Sequence, residues 1–243
     1  MRSLTTAELI DVWERGLAQP PEQRALSLLG AAHPNQSIEA VGTLSIGRRD
    51  AQLLTLREWV LGPHLVGLAD CPQCHLCVQI DLDAADLRAP APEPIETFTL
   101  TLGEFGARCR LPDSFDLIAA AQQPDVDAAR QVLIGRCVLS VERAGQAHPI
   151  DQLPPDVLSA IEAQMEQRDA QAQMLLALTC PQCAHAWSAV LDIAAFFWAE
   201  INALAARLLC EVHTLASTYG WREADILALS AYRRQAYLDL ISA

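Results

Sequence analysis

Apolar residues recur at helical spacing through the first part of the chain. Leu9, Val12, Trp13 and Leu17 fall three and four residues apart, on one face of a helix. Thr5-Thr6-Ala7-Glu8 ahead of them places a hydroxyl at the N-cap and a carboxylate three residues on, the pattern of a capping box, and Pro20-Pro21 ends the run. A second helix is predicted over residues 21–29, with proline where its missing N–H costs nothing. A longer one is predicted over 46–61, built on Leu53, Leu54, Leu56, Trp59 and Val60.

At Cys71 the period changes. A Cys71-Pro72-Gln73-Cys74 turn precedes alternating Val78, Ile80 and Leu82, and Asp83 then stands at an N-cap position, which predicts a knuckle, a strand and a short helix. Pro90, Pro92 and Pro94 alternate with other residues and predict an extended spacer. Phe98, Leu100 and Leu102, then Ala107, Cys109 and Leu111, alternate on either side of Gly103-Glu104-Phe105-Gly106 and predict a β-hairpin.

Helices are predicted next over 114–121 and over 125–141, the latter on Ala128, Val132, Leu133, Cys137 and Val138. A loop with Gly145, Pro149, Pro154 and Pro155 leads to a helix over 156–168. After a second knuckle, Cys180-Pro181-Gln182-Cys183, come a strand over 187–191, Asp192 as N-cap and a long helix over 193–219 stopped by Gly220. Short helices over 225–229 and 231–241 follow, the last expected to pack Tyr232, Leu238 and Ile241 and to leave Arg233-Arg234 in solvent.

The predicted fold class is therefore mainly α with small β elements: a helical body with one β-hairpin and two CPxC knuckle-strand units joined by a structural zinc. Its segments are 1–94 (helices, first knuckle and spacer), 95–179 (hairpin and middle helices) and 180–243 (second knuckle, long helix and C-terminal helices), expected to form one zinc-joined unit.

The two knuckles are copies. Cys71-Pro72-Gln73-Cys74 through Leu82-Asp83-Ala84-Ala85 lies over Cys180-Pro181-Gln182-Cys183 through Leu191-Asp192-Ile193-Ala194 at a constant offset of 109, with Cys, Pro, Gln, Cys, Leu, Asp and the last Ala coinciding. Each copy offers two thiolates where a tetrahedral ion takes four, which points to one zinc on Cys71, Cys74, Cys180 and Cys183. His75, Cys77 and His185 are second-choice ligands. Two metal-free thiol pairs are the plain alternative. Cys77 extends the first pair to CxxCxxC, but Asp81 stands where an iron–sulfur run of the ferredoxin kind places its next cysteine.

Composition narrows the picture. With 243 residues, 51% of them hydrophobic, the chain can bury a substantial core, which excludes a disordered or collagenous protein. A net charge of −13 disfavours nucleic acid and anionic lipid as partners. The N-terminus lacks a signal-type apolar run, so a cytosolic setting is expected, where eight cysteines indicate metal or buried thiols. The most apolar stretch, 188–199, contains Asp192 and is followed by Glu200, Arg207 and Glu211, so no membrane segment is expected.

Cys210 and His213, three apart beside the stripe Ile201, Leu204, Leu208, Val212 and Leu215, are expected in the core, and Cys109 and Cys137 as small buried hydrophobes. Phe197 and Trp198 adjoin, which suggests that one of them faces a partner. There is no GxSxG, Walker loop, GxGxxG or HExxH, and no His-x-Glu ahead of either CPQC, so the chain is expected not to be an enzyme.

Several runs closely resemble one family: Ser45-Ile46-Gly47-Arg48-Arg49-Asp50, Arg110-Leu111-Pro112, Cys180 through Trp187, Leu191 through Ile201, Glu211 through Ala216, Tyr219-Gly220-Trp221, and Ile226 through Leu238. The chain is similar to the T-even-type phage baseplate proteins known as baseplate hub assembly chaperones, of contractile tails and phage-tail-like contractile injection systems. The likeness covers nearly the whole chain and is densest after Thr179. It implies a non-enzymatic role in building or completing a baseplate, with hub, spike or wedge proteins as partners. It also implies action in the bacterial cytoplasm during assembly, and leaves open retention in the particle and a homo-oligomer. One departure is plain: the family has Gly after each CPxC, and His75 and Ala184 stand there. The knuckles taken alone also fit a cytosolic zinc-ribbon adaptor or regulator unrelated to tails.

Overall fold

Helix α1 (Thr6–Leu17) opens with the capping box, Thr5 Oγ1 accepting from the Glu8 amide and the Glu8 carboxylate accepting from the Thr5 amide. After it come α2 (Pro21–Ala32), the short α3 (Ile38–Gly42) and α4 (Ile46–Leu61), started by Ser45, whose hydroxyl accepts from Arg48. This is a computed structural model, and it describes residues 1–90 and 97–242. The proline spacer falls mainly on 91–96, outside the described residues.

Strands β1 (His64–Asp70) and β2 (Cys77–Asp83) pair antiparallel. The helix expected after Asp83 is a turn instead, in which the Asp83 carboxylate accepts from Ala85. Pro90 leaves too few residues for a helical turn to propagate. Strands β3 (Phe98–Leu102) and β4 (Phe105–Cys109) form the predicted hairpin, followed by α5 (Ser114–Ala121) and α6 (Val126–Cys137).

The predicted helix over 125–141 ends early, and β5 (Val138–Arg143) adds to β4, with β6 (Gln146–Ala147) beyond it. β-Branched Val138 and Val141 pair with Cys109 and Ala107 and are buried, so sheet pairing overrides the local helical spacing. Then come α7 (Pro155–Arg168), the hairpin β7 (Met174–Thr179) and β8 (Ala186–Leu191), α8 (Ile193–Tyr219), α9 (Glu223–Leu227) and α10 (Ala231–Ser242). Asp192 caps α8 through the Ala195 amide, and Gly220 ends it in the left-handed region. The chain is mainly helical with small hairpin-like sheets.

The main core joins the two ends of the described chain. Leu28, Leu29, Leu53, Leu54 and Leu56 from α2 and α4 meet Ile193, Phe197 and Ile201 from α8, with Leu65 and Met174 contributed by the two knuckle hairpins. A second core, including Phe98, Val138, Val141, Val157 and Ile161, lies within the middle segment. Phe197 is fully buried, and Trp198, 8% exposed, lines a cleft. Gly16 makes room for Trp198: a Cβ there would lie 2.1 Å from the indole.

Helix α8 is long and apolar enough to cross a membrane by length and composition, its most apolar window averaging a mean hydropathy of 1.5. Length and composition do not by themselves make a membrane segment, because the central helix of a folded protein shares them. In the fold α8 packs along α1, α2, α4 and α10 as the central helix, burying Phe197, Ile201, Leu208 and Leu215.

Two expectations near the C-terminus are reversed. Tyr232 is exposed, while Arg234 is buried, with Nε on Glu211 at 2.8 Å and a terminal amine on the Leu229 carbonyl at 2.6 Å. A guanidinium with acceptors on α8 and on the loop between α9 and α10 can be buried, whereas Tyr232 in the first turn of α10 meets solvent.

Candidate metal centre

Each CPQC sequence forms the tip of a β-hairpin. Predicted strands β2 and β8 follow the tips; their partners β1 and β7 precede them and were not anticipated. In β7 the run Met174-Leu175-Leu176-Ala177-Leu178 is apolar throughout and shows no alternation. The signal lay in the repeat, whose offset of 109 also carries Leu65 onto Met174 and Ala69 onto Leu178.

The tips share one geometry. In the first, the Cys71 amide donates to the Leu76 carbonyl at 2.9 Å and the His75 amide to the Cys71 carbonyl at 2.9 Å. In the second, Cys180 donates to His185 at 2.9 Å and Ala184 to Cys180 at 3.0 Å. His75 and Ala184 sit at φ +59° and +57°, the left-handed conformation that glycine adopts without strain. Both tips thus hold a glycine-type backbone with L-residues in place.

The tips meet, and the Sγ atoms of Cys71, Cys74, Cys180 and Cys183 all lie within 4.8 Å of one another. Cys71 and Cys183 are 3.7 Å apart and Cys74 and Cys180 3.5 Å apart, both contacts running between hairpins. A tetrahedral zinc with bonds of ~2.3 Å separates its sulfurs by roughly 3.8 Å, so the four positions fit such an ion. Cys71 and Cys180 are buried, and Cys74 and Cys183 are more open.

Electrostatics set the four thiols apart. Amides of Cys183 and Gln182, helped by Cys74, hold Cys180 down to about 7 against the effect of burial. For Cys74 the Leu76 amide pulls downward but is outweighed by burial and the three other sulfurs, which push it up to about 12. Crowded sulfurs resist sharing more than one negative charge, and a divalent cation among them would remove that resistance, with release of protons.

The second-choice ligands His75, Cys77 and His185 stand outside this cluster. Cys77 is exposed beside Asp70, and burial together with that carboxylate raises its thiol. His185 stacks on Trp187 with ring centroids 6.3 Å apart. Cys109 and Cys137 are buried as expected. Cys137 is pushed up to about 12 by burial and by Asp116, whose carboxylate lies 3.7 Å from its sulfur. Cys210 and His213 are exposed on α8 and do not enter the core.

These features define a class: a helical body whose distant segments present two cysteine-tipped hairpins to each other, in the manner of a zinc ribbon. Residues 26–198 match the family described as T4 bacteriophage base plate protein. That span is most of the chain and includes both hairpins, so the protein belongs to this baseplate family. No curated protein and no solved structure gives a significant match.

Proposed function

We infer that the protein is a non-catalytic component or hub assembly chaperone of the baseplate of a contractile phage tail or phage-tail-like injection system, shaped by one structural zinc. The observation that carries this reading is the coincidence of the family match with the four-sulfur set. The matched residues 26–198 run from α2 into α8 and so contain both halves of the clamp. Cys71, Cys74, Cys180 and Cys183 would hold the ion. Zinc bound to four thiolates has no position left for water or substrate and serves folding, which supports a scaffold over a catalyst.

The ion would close the 105-residue span from His75 to Thr179. Structural zinc in small peptides returns about 10–16 kcal/mol, well above the few kcal/mol that closing such a loop costs. A net charge of −13 favours protein partners over nucleic acid. Those partners are hub, spike or wedge proteins met in the bacterial cytoplasm during assembly.

Two measurements test the reading. Elemental mass spectrometry of the purified protein, with thiol counting before and after denaturation, should give one zinc per chain and six protected thiols, the four at the metal together with buried Cys109 and Cys137. Affinity capture from a producing strain should recover a hub, spike or wedge protein in stoichiometric amount. Metal-free protein in which Cys71, Cys74, Cys180 and Cys183 all react before denaturation would remove the zinc, and capture of no tail component together with normal particles after deletion would remove the assembly role.

A further inference from the structure

Away from the clamp, one buried cation is only partly paired among the described residues. Arg49 on α4 is 5% exposed and donates through Nε to the Asp50 carboxylate at 2.7 Å. Among the described residues this is its only side-chain hydrogen bond, so the terminal amino groups, with four of the five guanidinium N–H donors, have no protein acceptor. Arg49 lines a cleft of about 280 Å³ bounded by the starts of α2 and α8 and by α5. Those donors face the cleft and are left to water, so a carboxylate entering it replaces water with charge-assisted hydrogen bonds.

The lining says what kind of group fits. Trp198, Leu117 and Ala195 give apolar walls, and the Trp198 ring is held under the Arg24 guanidinium at 4.9 Å. Arg24 is itself tied through Nε to the Gly16 carbonyl at 3.1 Å. Glu22 and Asp192 line the same cleft and Asp50 lies beside Arg49, so a doubly charged phosphate would meet three carboxylates. A carboxylate carries half that charge and presents two coplanar oxygens to the guanidinium fork.

The geometry points to a receptor for a single carboxylate on an acidic side chain of a protein partner, seated on the free face of Arg49 with its methylenes between Trp198 and Leu117. Neither the zinc nor the choice of baseplate partner is needed for this inference. The same chemistry could come from a free small acid, and the choice of probes separates the two sources.

The experiment is a titration of the full chain with N-acetylglutamate α-amide, propionate and inorganic phosphate at constant ionic strength, following the Arg49 Nε–H and Trp198 indole N–H signals by nitrogen–proton NMR. Capped glutamate should shift both signals saturably and bind at least threefold more tightly than propionate, with phosphate weaker still. Ala195→Phe, at an exposed position on the cleft wall, should weaken the capped glutamate at least tenfold while leaving the fold intact. Arg49→Lys should also weaken it, and the Ala195 variant decides the matter if the lysine variant does not fold. Absence of a saturable shift, or an unaffected Ala195→Phe, overturns the site. Equal binding of propionate overturns the protein side chain as its occupant, and tighter phosphate overturns the carboxylate preference.

Discussion

Asp169 caps a helix 122 residues away: its carboxylate accepts the Gly47 amide at 2.8 Å and, through the other oxygen, the Ser45 hydroxyl at 3.0 Å. Two residues on, Gln171 donates to the Leu87 carbonyl at 3.0 Å and accepts the Ala89 amide at 2.6 Å. The short stretch ahead of β7 is thereby tied both to the start of α4 and to the chain leaving β2. Both cysteine hairpins thus hang from one anchor, which holds their bases at a fixed separation.

That anchor predicts the outcome of a conservative change. A Cβ on Gly47 would lie 2.2 Å from an Asp169 oxygen and 2.9 Å from the Ala172 backbone nitrogen, so the cap must open to admit it. Gly47→Ala is expected to lower stability by ~1–3 kcal/mol. Gly30→Ala, also in a helix but with its nearest neighbour at 3.8 Å, should be neutral or stabilising by up to about 1 kcal/mol. Urea unfolding of the two variants checks this, and equal midpoints would mean that the cap yields freely.

The clamp separates two cysteines that look alike in sequence. Cys180→Ser should release the zinc and lower the melting temperature markedly, whereas Cys210→Ser, exposed on α8, should change neither. Chelation of the wild type should reproduce the first result. Metal content and calorimetry on the same samples decide it, and a Cys180→Ser protein retaining full zinc would contradict the ligand set.

Left-handed backbone at the two tips gives a stabilising prediction. Ala184 holds φ +57° without a glycine's freedom, at a cost of about 1–2 kcal/mol, partly offset because glycine loses more entropy on folding. Ala184→Gly should therefore raise stability by roughly 0.5–1 kcal/mol. Thermal unfolding of the metal-loaded protein checks the sign, and a lower melting temperature would mean that the Ala184 methyl contributes packing.

Much of the local structure was legible because it rests on local physics. Caps at Thr5 and Asp192, the stop at Gly220, and the helices Ile46–Leu61 and Ile193–Tyr219 follow from residues within a turn of where they act. The four sulfurs were legible through a different route, the repetition of one motif 109 residues on. What escaped depends on distant partners: β5 is a strand because Val138 and Val141 meet β4, and Arg234 is buried because Glu211 awaits it. Asp169 gave no sign of capping α4, since nothing in its own neighbourhood names a helix that distant.

Asp50 supplies a pH dependence whose sign runs against acid denaturation. Burial pushes its carboxyl up to about 6, with Arg49 opposing and Asp192 and Asp169 adding to the rise. The unfolded chain loses that proton near ~4, so between about pH 4 and 6 the folded state holds a proton that the unfolded state has released. Stability from this group is therefore highest below pH 4, falls as pH rises through the window, and is level above it, a loss of about 3 kcal/mol in all.

Glu8 and Asp116 are both lowered to about 2, Glu8 chiefly by Arg2, and Asp116 by Arg110 and Arg136 against the effect of its burial. Their contributions are lost only as pH falls from about 4 toward 2, so the two windows separate. Asp50→Asn mimics the protonated form at every pH. Its stability relative to wild type should be near zero at pH 4 and rise to a clear gain at pH 7, measured by urea unfolding across that range. A difference that stays flat from pH 4 to 7 would mean that Asp50 ionises as freely in the fold as in the unfolded chain.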